Sequence, residues 1–389
     1  MVKRNKISHR SMRRGNILLI LEVVKKFGPL SRADISRRTG LTKSTVSEIV
    51  SFLLERGLIK ETGVSEKSGA GRKGILVDLN DEILVIGYDV GTIYSKVVLS
   101  DVKGRVLRKK VFKTQKDGEI TDQIEREVLE IAEGVWNRVV EVGFGFPGMV
   151  DHSGGRIVHS PNLDLRDFDF SGAFSRIFPK KRVTVDHNVK LMMIAESEYG
   201  DLEGAANVLL INMGPGVGAA FMMDGRLVRG FHNFSGEIGH LGVVERGYRC
   251  KCGKVGCLET VAAAWGIVER YEEISGKRID DPYDSEEVAR RARDGDETAL
   301  KVFETAGRYL GKAVALAVNI LDPELVLLSG GLSRSWDLME RGFIEEFDEN
   351  VIIPLRDKVR IKVSRLGDFS TAIGAVSVAI DDFLKSSVS

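Results

Sequence analysis

The chain has 389 residues, of which 43% are hydrophobic and 29% charged. That length exceeds one ordinary core and suits two or three domains, and the composition excludes a disordered, collagenous or disulfide-stapled protein. The net charge of +1 conceals a split: residues 1–74 carry 17 Lys/Arg against 6 Asp/Glu, so the remainder is acidic. A basic head on an acidic body suggests that the head meets a polyanion and the body does not. No apolar h-region follows the basic N-terminus. The longest apolar stretch, Val208 to Met223, is broken by Asn212, Gly214, Pro215, Gly216 and Gly218, too short and interrupted to span a bilayer. A cytoplasmic location is expected.

In chain order, residues 14–27 show helical apolar spacing that ends at Gly28-Pro29. Ser31 is a good N-cap with Asp34 three positions on, starting a short helix that stops at Gly40. Thr42 caps a second helix, Lys43 to about Arg56, with Val46, Ile49, Val50, Leu53 and Leu54 as its apolar stripe. Two short helices joined at a glycine turn make a helix-turn-helix, whose second helix presents Lys43, Ser44, Thr45 and Ser47 to a major groove. Segments 58–62 and 75–79 read as the strands of a wing. Between them a Gly/Ser-rich loop carries Lys67, Arg72 and Lys73 for phosphate or minor-groove contact. The stretch resembles the DNA-binding domains of winged-helix repressors. The bland alternative, a solvated helical hairpin with incidental charge, does not account for caps, turn, charge and wing together.

From residue 82 the texture becomes α/β. Glu82 to Leu107 reads as strand, Gly turn, strand, turn and third strand. Val142 to Asp151 is a strand running into a loop with Pro147 and Gly148. Val208 to Met222 repeats the strand–Gly turn–strand, and Glu324 to Ser333 is a strand ending in Gly330-Gly331. The two Gly-turn hairpins, at 87–99 and 210–222, are the weak internal repeat of a duplicated unit. Turns such as Asp89-x-Gly91 and Gly214-x-Gly216 can offer backbone N–H groups to a phosphate.

The most specific motif lies in Ser235 to Thr260. His240 precedes Cys250, Cys252 and Cys257, which are all the cysteines of the chain. One imidazole and three thiolates complete a tetrahedral Zn2+ site with no open position, which argues for a structural ion. Free thiols in a reducing compartment are the alternative.

The segment GEIGH followed by CKCGKVGCLE, with DVG, GFPG, SPNL and GPGVG before it and SGG after it, resembles the ROK family of repressors, open reading frames and sugar kinases. The resemblance covers roughly 82–380, and the N-terminal winged helix points to its repressor branch. It implies a duplicated actin-like or hexokinase-like (ribonuclease H-like) ATPase-type fold with two lobes. The expected domains are 1–80 (winged helix-turn-helix), 81–200 (first lobe, completed by about 370–389) and 201–369 (second lobe with the zinc loop).

The resemblance also implies the site. Glu237, His240 and Glu259 match residues that bind sugar hydroxyls; Gly148 and Asn162 match other positions of that pocket. His240 would face the sugar with one nitrogen and zinc with the other, or the zinc would simply orient the loop. Family kinases carry an Asn-Asp pair whose Asp is the general base. Here His187 stands at the Asn and Asn188 at the Asp, and an amide cannot take that proton. Asp186 is two residues out of place. Asn188 can still bond a hydroxyl, so His187 and Asn188 are expected to line the sugar site without catalysing. At the nucleotide turns Asp89, Gly91, Gly214, Gly216, Gly330 and Gly331 remain. Thr92 replaces a glycine, Ile93 replaces a threonine, and Pro215 has no N–H for an anion.

These departures favour a sugar-responsive DNA-binding regulator of carbohydrate genes with a degenerate kinase-like domain. The alternative is an ATP-dependent sugar kinase with an accessory DNA-binding domain. Expected partners are operator DNA, a small sugar and a second or further copies of the chain as a dimer or tetramer.

Overall fold

A computed structural model of the chain describes residues 9–65, 74–115, 120–245 and 247–388. The N-terminal module begins with helix α1 (His9–Phe27), then strand β1 (Leu30–Ser31), α2 (Arg32–Thr39), α3 (Lys43–Glu55), β2 (Ile59–Val64) and β3 (Ile75–Leu79). Ser31 and Asp34 form a reciprocal capping box on α2, and Gly40 closes that helix with φ of 71°. The Thr42 side chain accepts from the Thr45 N–H at the start of α3. Each cap satisfies an amide that the first helical turn would otherwise leave open. The three short strands form a sheet in the order β1-β3-β2. The expected helix-turn-helix and wing strands are thus present, with α1 beginning five residues before the expected position.

The body starts with β4 (Leu84–Asp89), β5 (Tyr94–Asp101), β6 (Val106–Lys113), α4 (Ile120–Ile131) and β7 (Val139–Phe146). A small sheet follows, made of β8 (Met149–Asp151), β9 (Arg156–Ser160) and β10 (Leu165–Asp169). Then come α5 (Phe170–Ile177), β11 (Arg182–His187) and α6 (Asn188–Tyr199). The second half holds β12 (Val208–Met213), β13 (Val217–Met223), β14 (Arg226–Val228), α7 (Glu259–Ala262), α8 (Ala264–Ser275), α9 (Ser285–Arg293), α10 (Glu297–Leu321), β15 (Leu325–Ser329), α11 (Trp336–Asn350), β16 (Arg360–Val363) and α12 (Ser370–Ser387).

The two larger sheets have the same topology. One runs β6-β5-β4-β7-β11 and the other β14-β13-β12-β15-β16. In each, the first three strands pair antiparallel, and the last two join the first strand in parallel. Duplication is therefore visible as strand order, not merely as repeated glycine turns. Parallel register brings Asp89 beside Gly145 and His187 beside Phe146, so the first sheet's functional candidates share the carboxyl ends of β4, β7 and β11. In α/β sheets that end is where ligands bind.

Helix α12 covers the first sheet, and glycines let it lie close. A Cβ at Gly87 would stand 2.0 Å from the Ala372 carbonyl oxygen, and one at Gly143 would stand 2.4 Å from that of Ala375. The N-terminal module and this helix share one apolar cluster. Ile20, Val24, Ile35, Val50, Leu53 and Leu79 pack in it together with Val85, Val98, Val376, Ile380 and Leu384. Arg56 donates to the Ser387 carbonyl at 2.8 Å, and Lys25 bonds Asp381 at 2.9 Å. No helix among the described residues is long and apolar enough to cross a membrane.

Candidate functional site

The cysteine loop follows the second sheet's hairpin. Gly253 and Gly256 have φ of 92° and 76°, and a Cβ on Gly256 would meet the Val244 carbonyl oxygen at 1.8 Å. Such a turn requires glycine. It brings the donor atoms of His240, Cys250, Cys252 and Cys257 within 4.8 Å of one another. Cys250 Sγ lies 3.6 Å from His240 Nδ1, and Cys252 Sγ lies 3.6 Å from Cys257 Sγ. Tetrahedral zinc with ordinary bond lengths sets such separations at roughly 3.6–3.8 Å. Burial pushes the Cys250 thiol up to about 12, so a cation would be needed to hold it as thiolate at neutral pH. The four residues fit a closed metal site.

His240 has two faces. Nδ1 points toward the thiols, and Nε2 lies 3.8 Å from Glu237 Oε2. Burial raises Glu237, while His240 and Lys190 pull it back; Glu259 is raised by burial as well. Glu259 accepts from the Val217 N–H at 3.3 Å, beside Gly216, where a Cβ would lie 2.6 Å from its carboxylate. Glu237 and His240 thus lie together, Glu259 is near enough to raise Glu237 by its charge, and Glu259 also touches the second glycine turn.

Asn188 opens α6, and its Oδ1 accepts from the Val189 N–H. His187 is buried at the end of β11. Burial lowers it to about 4, and among the described residues its Nδ1 has no hydrogen-bond partner. Gly148 has φ of 97°, and a Cβ there would stand 2.4 Å from the His159 carbonyl oxygen. Asn162 accepts from Lys251 of the cysteine loop at 3.1 Å, and Lys251 also donates to Tyr283 at 2.7 Å. The small sheet is thereby tied to the cysteine loop.

The nucleotide candidates divide between the two sheets. Asp89 is raised to about 6 by burial, with Lys96 3.8 Å away. The Gly91 carbonyl accepts from Thr114 Oγ1, and Thr92 is buried beside it. Gly214 accepts from the Ala264 N–H, and its own N–H is turned back to the Gly216 carbonyl. Gly330, with φ of 89°, sits against Met213 and Asn212 at the carboxyl ends of β12 and β15, with Gly331 next to it.

The candidate DNA contacts also divide. Lys43, Ser44 and Ser47 are exposed at the start of α3, while Thr45 is half-buried and bonds Thr42. Arg72 and Lys73, with Lys67, lie outside the described residues.

Several residues of this region carry no motif. Asp186, which is out of place as a base, is almost fully buried and pairs with Arg229 at 2.6 Å. Lys190 is buried on the first turn of α6 and donates to the Asn233 carbonyl. A lysine inside the apolar run VKLMMIA was the available signal.

Comparison with known proteins completes the picture. The family model described as "ROK family" matches residues 85–382. The chain belongs to the ROK family. A MarR family model matches 18–69 of the N-terminal module. The chain is 25% identical to a xylose repressor of Caldicellulosiruptor bescii, covering 97% of this chain and 98% of that one. It is 26% identical to the DNA-binding transcriptional dual regulator NagC of Escherichia coli, over 93% and 91%. A crystal structure of a ROK family transcriptional regulator, homologous to the E. coli Mlc protein, superposes with a TM-score of 0.82 at 24% identity, covering 97% of this chain and 98% of that one. A ROK family glucokinase of Streptomyces griseus, solved with glucose and AMPPNP, matches 76% of this chain and 99% of its own at TM-score 0.69 and 25% identity. The ROK kinase thus matches about three quarters of the chain, and the ROK regulator nearly all of it.

Proposed function

We infer that this ROK protein is a sugar-responsive DNA-binding transcription repressor. One combination carries the reading: a winged helix with an exposed α3 start is joined to a kinase-like cleft in which an amide, Asn188, stands at the general-base position. Relatives covering nearly the full length of both chains are named xylose repressor and N-acetylglucosamine repressor. Loss of a positioned base alone lowers a rate by about 10²–10⁴-fold. Pro215, Thr92 and Ile93 further weaken the phosphate turns.

Glu237 and Glu259 would accept from sugar hydroxyls, and His240 would present Nε2 to a third. His187, Asn188, Asn162 and the backbone at Gly148 would line the rest of the pocket. Zinc is the ion we assign to His240, Cys250, Cys252 and Cys257. When bound, it would hold the three sulfurs as thiolates and fix His240 in the tautomer that leaves Nε2 free for ligand. DNA would be read by Lys43, Ser44, Thr45 and Ser47, as a dimer or tetramer on a two-fold operator, in the cytoplasm. We take 1–80 as the DNA-binding domain, 81–200 with 370–389 as one lobe and 201–369 as the other.

The test is retention of the chain's own upstream DNA at moderate salt, with and without D-xylose, D-glucose and N-acetyl-D-glucosamine. A sugar that changes DNA affinity supports the reading. Failure to hold DNA even at low salt, where phosphate contacts are strongest, together with sugar-dependent ATP turnover, would replace it with the kinase.

A further inference from the structure

We propose that residues 229–236 are a clasp that fastens the loop bearing Glu237 across the cleft to the first half of the body, with Asp186, Lys190, Arg229 and Asn233 as its positioning residues. The role given to Glu237 rests on the sugar-site reading above; the clasp itself does not.

The segment leaves β14 at Val228 and delivers the chain to Glu237. On its own side it is held by Ser235 Oγ donating to the Val228 carbonyl at 2.7 Å, and by the Ala219 N–H donating to the Gly236 carbonyl at 2.7 Å. On the opposite side three elements of the first half hold it. Arg229 Nη1 pairs with Asp186 Oδ2 at the end of β11, at 2.6 Å. Asn233 Nδ2 donates to the Val150 carbonyl of β8, at 2.7 Å. Lys190 Nζ of α6 donates to the Asn233 carbonyl. Arg229 Nη1 also donates to Asn233 Oδ1 at 3.2 Å, which joins the separate fastenings into one network. Asn233 adopts φ of 63°, a left-handed conformation that asparagine tolerates better than most residues.

The groups fastened this way cannot easily do without it. Asp186 is 1% exposed, and Arg229 is the cation against it, with the His152 ring nitrogen farther off at 3.8 Å. Lys190 is also 1% exposed, and among the described residues no carboxylate lies within ion-pair distance of its ammonium. Burial lowers it to about 8, against which Asp186 and Glu237 favour its charge from farther off, and its hydrogen bonds go to the Asn233 oxygens. A buried charge deprived of its partner is costly, so opening the clasp would strand Asp186 and Lys190 in the first half of the body. The clasp therefore presets the place of Glu237 before any sugar arrives. It also occupies Asp186, two positions before Asn188 in the sequence, as a structural anion.

Asn233→Gly keeps the left-handed backbone accessible and removes the side-chain bonds to the Val150 carbonyl, Arg229 and Lys190; Arg229→Met removes the ion pair, and Arg229→Lys retains a cation. Amide hydrogen exchange on the full, metal-loaded, sugar-free chain reads the clasp directly. Peptides spanning 229–240 are expected to exchange about tenfold faster in Asn233→Gly and Arg229→Met, the equivalent of one charge-assisted hydrogen bond. Peptides of α3 and α10 should not change, and Arg229→Lys should recover most of the protection. Exchange at 229–240 equal to the parent's, or acceleration spread over the whole body, would overturn the clasp. D-xylose and N-acetyl-D-glucosamine then serve as probes of its consequence: a sugar held by the parent should dissociate about tenfold faster from Asn233→Gly. If the parent holds neither, the sugar reading is what fails, and the exchange result still decides the clasp.

Discussion

Lys25 makes a sharp test of how the DNA-binding module communicates with the body. It lies near the end of α1, with its ammonium 2.9 Å from Asp381 on α12 and 3.3 Å from Glu198 at the end of α6. Helix α6 starts at Asn188, so a single cation joins the winged helix to a rod whose other end carries a residue proposed for the sugar site. Lys25→Met keeps the apolar stem and deletes the charge. An exposed ion pair contributes about 0.2–1 kcal/mol, and breaking a buried one costs about 3–5 kcal/mol. The lysine side chain is 20% exposed, while Glu198 and Asp381 are 29% and 43% exposed, so water still reaches the carboxylates. We expect a loss of about 1–2 kcal/mol, which is roughly a 5–30-fold shift in how firmly the module docks. The assay measures affinity for the upstream DNA with and without saturating sugar, and affinity for the sugar with and without DNA. Linkage requires the two ratios to agree. The expected outcome is a ratio at least about fivefold closer to unity in Lys25→Met, with the sugar-free DNA affinity and the DNA-free sugar affinity little changed. A ratio equal to the parent's would refute the reasoning. The pH dependence has a defined sign. Burial lowers Lys25, but Asp381 and Glu198 more than offset it and leave it raised. Its contribution is therefore fully present below pH ~10.4, the unfolded value, and is lost as the pH climbs through the higher folded value.

Three further outcomes are expected. Burial pushes the Glu141 carboxyl up to about 8, although Arg182 opposes the shift. The fold therefore loses stability as pH rises from the ordinary carboxylate range, ~4.3, through about 8, and Glu141→Gln should be more stable than the parent at pH 9 in urea melts but no different near pH 4. Cys257→Ser should lose the bound metal, measured as zinc content by atomic emission, and lower the urea midpoint; full zinc content in that variant would remove the thiolate assignment. Asn188→Asp should show no sugar-dependent ADP release, because Pro215 still withholds an N–H from the phosphate turn; robust turnover would show that the turns are competent.

Local features were the most legible in the sequence. Ser31 with Asp34, Thr42 and Gly40 marked the helix ends because caps use residues within three positions of one another. The cysteine cluster was legible for the same reason, since three of its four donors lie within eight residues. The duplicated sheets were readable only as two glycine turns, because strand order is decided by pairings far apart in sequence. What escaped was non-local. Arg229 meets Asp186 43 positions earlier, Lys25 meets Asp381 356 positions later, and no spacing rule covers either pair. The fate of Asp186 is instructive. Its distance from the general-base position was plain, but its ion pair needed the second half of the chain to be in place.

The apolar cluster that runs from the winged helix into α12 bears on how such regulators can be recombined. A DNA reader that is a free cassette can be moved onto another body by cutting at the linker. Here Ile20, Val24 and Leu53 share their interior with Val376, Ile380 and Leu384, so a cut near residue 80 would divide one core between two molecules. A chimaera built to redirect this reader to a different effector would have to carry α12 with it, or recode the face of the recipient's last helix to match.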